Sequence, residues 1–75
     1  MKYIEELENG DCFVFKKDIY ITNADFKSNG QRLCINLNNG INRWIAPNEI
    51  VEICPIYYID KDANITPIKP TKKNV

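Results

Sequence analysis

Apolar residues recur along this chain in short blocks, and their spacing changes from block to block. Tyr3, Ile4 and Leu7 have the three- and four-residue offsets of one helical turn, and Asn9-Gly10 stops the run before a self-supporting helix can form. Residues 12–16 then alternate, with Phe13 and Phe15 on one side and Cys12 and Val14 on the other. Residues 19–22, Ile-Tyr-Ile-Thr, are β-branched and aromatic, so a second strand is predicted, reached through a turn at Lys17-Asp18. Residues 23–30 form a polar corner ending in Ser28-Asn29-Gly30, where glycine admits a positive φ. In residues 32–37, Leu33, Ile35 and Leu37 occupy one row and Arg32, Cys34 and Asn36 the other, which predicts a half-buried strand with the leucine row inward.

Asn39-Gly40 is a hairpin signal between that strand and residues 41–46. Here Ile41 and Ile45 select one parity, while Trp44 and Ala46 select the other. Pro47-Asn48-Glu49 interrupts the ladder before residues 50–54, where Val51 and Ile53 are expected to point inward. Pro55 marks a boundary, residues 56–59 form another strand, and the turn at 60–64 leads to a weaker strand over 65–68. Short strands joined by tight corners predict an all-β fold, a small SH3-like barrel or an embellished antiparallel roll with a short N-terminal helical turn. Closure would hide the strand edges, and an OB-like barrel is the alternative topology. Residues 1–69 are expected to form one small β domain, with 70–75 a flexible basic tail.

Composition changes this picture little. Twelve isoleucines and ten asparagines in 75 residues supply strand formers and turn residues, a bias that an A/T-rich coding sequence also produces. The net charge of zero is a cancellation between ends. Lys2 stands against Glu5, Glu6, Glu8 and Asp11 at the start, whereas Lys61, Lys69, Lys72 and Lys73 stand against Asp62 at the end. Cys12, Cys34 and Cys54 cannot all pair internally, and with no secretion segment at the start a reducing cytoplasm is expected. No apolar run is long enough to span a bilayer.

Candidate chemistry is sparse. No histidine accompanies the cysteines to activate a thiolate, and none of them lies in the compact pairs usual for zinc. The alternating oxygen donors of residues 60–64 lack the glycine and distal glutamate of a calcium loop. No phosphate-cradling glycine motif, nucleophile elbow or paired-carboxylate arrangement is present, so no enzyme, cofactor or metal site is expected. Binding remains. Arg43, Trp44, Tyr57 and Tyr58 are the candidate protein-interaction residues, since tyrosine, tryptophan and arginine dominate small interfaces. The 56–59 block is also suited to pairing edge to edge with a second copy. The alternative is a single-stranded nucleic-acid surface made of Tyr20, Arg32, Arg43, Trp44 and Tyr57, with Lys69, Lys72 and Lys73 as an electrostatic arm.

One resemblance adds to these readings. Gly10-Asp11-Cys12-Phe13 after an acidic lead, the apolar hairpin that follows, the Asn39-Gly40 turn and residues 47–53 before a last strand resemble uncharacterised small SH3-like barrel proteins of phages and mobile elements. The resemblance covers roughly residues 7–54 and does not extend to the 57–68 segment. It implies a non-enzymatic accessory protein acting on a host or virion protein, in the host cytoplasm if phage-encoded.

Overall fold

The computed structural model describes residues 1–68, so the expected basic tail, with Lys69, Lys72 and Lys73, lies outside the described residues. Within them the fold is all-β, with a six-stranded antiparallel sheet, a separate two-stranded sheet and a short 3-10 turn near the N-terminus. The strands are β1 (Lys2–Tyr3), β2 (Cys12–Phe15), β3 (Asp18–Phe26), β4 (Arg32–Asn36), β5 (Asn42–Ile45), β6 (Ile50–Ile53), β7 (Tyr57–Ile59) and β8 (Ile65–Pro67). The larger sheet runs β1-β6-β2-β3-β4-β5, and among the described residues β7 pairs only with β8.

Local chemistry explains most of these corners. β2 and β3 form a tight hairpin through Lys16 and Lys17, both at positive φ (49° and 73°), a twist that suits paired strands although neither residue is glycine. β3 runs four residues further than its apolar core suggested, past a bulge between Thr22 and Phe26, so the expected corner at 23–30 shrinks to residues 27–31. Gly30 is required there twice over. Its φ is +90°, and a Cβ would stand 3.1 Å from the Pro47 ring. The N-terminal turn, Ile4–Glu6, is tied to the chain entering β6 by Ile4 N–H to the Glu49 carbonyl (3.0 Å) and Glu5 N–H to the Pro47 carbonyl (3.1 Å).

The core gathers on the concave face: Ile4, Leu7, Phe13, Phe15, Tyr20, Cys34, Ile45 and Val51. Phe13 stacks on Tyr20 at 5.6 Å between ring centroids, and Phe15 meets the same tyrosine edge-on at 6.1 Å. The two edge strands β1 and β5 are not bonded to each other, so the sheet stays open and the expected closed barrel is not formed. The physical reason is the brevity of β1, with the concave face filled by Ile4 and Leu7 instead of by strand closure.

One inward assignment is corrected. On β4 the buried row is Arg32 (8% exposed), Cys34 (0%) and Asn36 (4%), whereas Leu33 and Ile35 are only half-buried and Leu37 is 48% exposed. Phe13, Phe15 and Tyr20 already occupy the middle of a small concave face, so the row from β4 must be small there, as Cys34 is. At either end, Arg32 and Asn36 reach polar partners that a leucine would leave unpaired. Val51 and Ile53 both lie on the Phe13 face as expected, with Val51 buried and Ile53, toward the sheet margin, still 39% exposed.

Candidate protein-interaction surface

Turning the polar row of β4 inward turns an apolar row outward. Leu33 stands opposite Trp44, Ile35 opposite Ile21, and Val14 opposite Ile19, and paired residues share a sheet face. Val14, Ile19, Ile21, Leu33, Ile35 and Trp44 therefore form one continuous row across β2, β3, β4 and β5, all of them partly solvent-exposed. Cys12, opposite Ile21, lies on the same face and is buried, so the row is covered at its β2 end and opens toward Trp44 on the edge strand β5.

Trp44 is the largest side chain of the row, 38% exposed, and the Lys27 ammonium sits 4.7 Å from its ring centroid. That pairing covers one aromatic face with a cation. Arg43 is its sequence neighbour, but alternation sends it to the opposite side, where its guanidinium lies 5.3 Å from the Phe15 ring centroid. Arg43 and Trp44 therefore do not act as one patch. Tyr57 and Tyr58 are both exposed, on opposite faces of the separate β7–β8 hairpin.

The residues of the nucleic-acid alternative are divided. Tyr20 is buried in the ring cluster, and Arg32 is enclosed beneath the N-terminal loop. The Arg32 guanidinium donates to the Leu7 carbonyl, to Asn9 Oδ1 at 2.7 Å and to the Asn23 carbonyl at 3.2 Å, while its Nε is buried with no hydrogen-bond partner. Thr22 adds a parallel clasp, with its hydroxyl donating to the Glu8 carbonyl at 2.7 Å and accepting from Asp11 N–H at 3.1 Å. Asn36 closes the other end through Nδ2 to Asp18 Oδ2 at 2.9 Å and Oδ1 accepting from Asn38 N–H at 2.7 Å. A cleft of about 530 Å³ is lined by Arg32, Leu7 and Asn9 of this clasp together with Glu5, Glu8 and Phe26.

The remaining polar residues serve the backbone. Asp60 accepts from the N–H groups of Asp62 and Asn64, each at 2.9 Å, and the Asn64 bond is the main reason its carboxyl titrates below the usual range. Its oxygens thus hold the β7–β8 turn. Among the described residues no group of three or more histidine, cysteine or acidic side chains gathers at metal-binding distance. No helix among them is long and apolar enough to cross a membrane.

Cys34 carries a pH signature. Burial pushes its thiol up from 9.0 to about 11, against a smaller opposing pull from Arg32. The folded chain holds this proton more tightly than the unfolded chain, so the associated stability is complete below pH 9.0 and is lost as pH rises toward about 11. Urea midpoints at pH 8 and pH 10.5 should therefore separate more for the parent chain than for Cys34→Ala, and equal separations would contradict the buried thiol.

The outer row does not follow from the sequence because hydrophobicity alone places the Leu33, Ile35 and Leu37 row inward. A signal is present: residues 12–15 and 19–21 are apolar on both rows. Comparison of the chain with protein-family models, with curated proteins and with solved structures gives no match.

Proposed function

We propose that this chain is a non-enzymatic protein-binding module whose partner covers the outer face of the six-stranded sheet, with Trp44 as the anchor. The observation that carries this reading is the apolar row from Val14 to Trp44 across four adjacent strands, each member partly exposed and Trp44 most of all. A monomer gains nothing from an apolar row left in water, whereas a partner that covers it gains burial at roughly 25 cal/mol per Å². Lys27 beside the indole favours a partner with an acid at the rim of its apolar surface. The resemblance to phage and mobile-element proteins makes a host or virion protein the first partner to test.

Trp44→Ala leaves the concave core untouched and removes the anchor, so it should retain the fold and lower recovery of a specific partner at least about tenfold, the effect of losing an aromatic hot spot. The measurement is quantitative pull-down with the parent chain and the variant, with thermal melts verifying folding. Unchanged recovery by a folded Trp44→Ala chain would contradict the assignment. Titration with single-stranded nucleic acid across salt concentrations is the counter-test. Salt-sensitive binding abolished by the same substitution would reassign the face to bases.

A further inference from the structure

The β7–β8 hairpin stands apart from the larger sheet, and Tyr57, Tyr58, Ile59 and Ile65 are each more than half exposed. A lone two-stranded hairpin is marginal in water, and a sheet of three or more strands is the usual remedy. Register identifies which edge is open. Ile68 N–H donates to the Ile56 carbonyl and Asp60 N–H to the Asn64 carbonyl, so residues 56, 58 and 60 turn their backbone groups toward β8. The N–H and C=O groups of Tyr57 and Ile59 therefore face away from it, and among the described residues they have no backbone partner. The outward edge of β8 presents Ile65 and Pro67, and proline has no N–H to offer.

From this edge we infer that the chain forms a homodimer by antiparallel pairing of β7 with β7 of a second copy, about a two-fold axis at Tyr58. In that register Tyr57 of one copy opposes Ile59 of the other. Both are outward-facing positions, so each pair exchanges two N–H to C=O bonds and all four open groups of each strand are satisfied. Tyr58 meets its own copy at the closely spaced, non-hydrogen-bonded position, where cross-strand aromatic contact is strongest. Tyr57, Ile59, Ile65 and Pro67 lie on one face of the hairpin, so pairing makes that apolar face continuous across four strands. Pro67 at both outer edges stops growth at two copies, giving a closed assembly and not a fibre. The occupant is a second copy because three residues centred on Tyr58 are self-complementary. The edge of the larger sheet at β5 carries Arg43, a charge of the kind that discourages strand addition, whereas β7 carries no charge at all. The inference uses a surface separate from the Trp44 face and does not depend on it.

Matched proline substitutions on the two edges provide the test. Ile59→Pro removes an N–H that points away from β8, and Ile65→Pro removes the corresponding outward N–H of β8, so both leave the hairpin's own ladder intact. Sedimentation over a concentration series should give twice the chain mass for the parent and for Ile65→Pro, and half that value for Ile59→Pro. Hydrogen exchange on the unmodified chain should show Tyr57 and Ile59 amides gaining protection with concentration while Ile65 does not. A monomeric parent at high concentration, dimers from both proline variants, or dissociation of both would each overturn the inference.

Discussion

Arg32→Ala is expected to unfold a large part of the population under conditions where the parent chain is folded. The guanidinium is enclosed and bonds the Leu7 carbonyl, Asn9 Oδ1 and the Asn23 carbonyl, joining the N-terminal loop to β3 and β4. Truncation removes the charged donor these three acceptors share and opens space beneath the loop. Hydrogen bonds from a charged donor contribute about 1.5–3 kcal/mol each, and their losses do not simply add, so about 3 kcal/mol is the expected total. That is comparable to the roughly 3–5 kcal/mol a core of this size supplies. Arg32→Lys should recover only part of it, because an ammonium lacks the planar fork that reaches several acceptors at once. Urea unfolding followed by Trp44 fluorescence measures the loss, and a midpoint unchanged in Arg32→Ala would place the side chain outside the core.

Phe13→Ala is the second large effect. Phe13 is fully buried between the Tyr20 ring and the facing core side chains, and it pairs with Tyr20 and Ile53 on its neighbouring strands. Removing a phenyl ring from such a position costs about 3–5 kcal/mol through lost transfer energy and the cavity left behind. Phe15→Ala should cost less, since Phe15 sits toward the margin with Lys16 and Arg43 over its ring. Equal midpoints for these two variants would contradict the central position of Phe13.

Strands, turns and the N-terminal docking turn were legible in the sequence because each rests on local chemistry. Phe13 and Phe15 share a face by alternation, Gly30 and Gly40 permit positive φ, and Ile4 and Leu7 fall one turn apart. The orientation of β4 was not legible. Its two rows differ in hydrophobicity in the direction opposite to their burial, and only the rings contributed by β2 and β3 decide which row fits. The same non-local competition hid the candidate site. Trp44 is a candidate from its residue type alone, but the company it keeps, Leu33 and Ile35, follows from the register of β4 against its neighbours. Arg43 was grouped with Trp44 by adjacency, although neighbours in a strand point to opposite faces. The self-complementary edge of β7 depends on which N–H groups face β8, a detail that pairing alone determines.

Thiol labelling of the native chain tests the β4 orientation most directly, since that orientation creates both the Arg32 clasp and the apolar outer face. Cys34 alternates with Leu33 and Ile35, so it is buried when they face outward and exposed if they face inward. With a mild alkylating reagent at neutral pH and mass-spectrometric readout of each cysteine, the partly exposed Cys54 should react first. Cys34 should react only through opening of the fold, at least roughly a hundredfold more slowly. Labelling of Cys34 as fast as Cys54 in a chain that retains its native circular dichroism would contradict the inverted strand, and with it the proposed docking face of Leu33, Ile35 and Trp44.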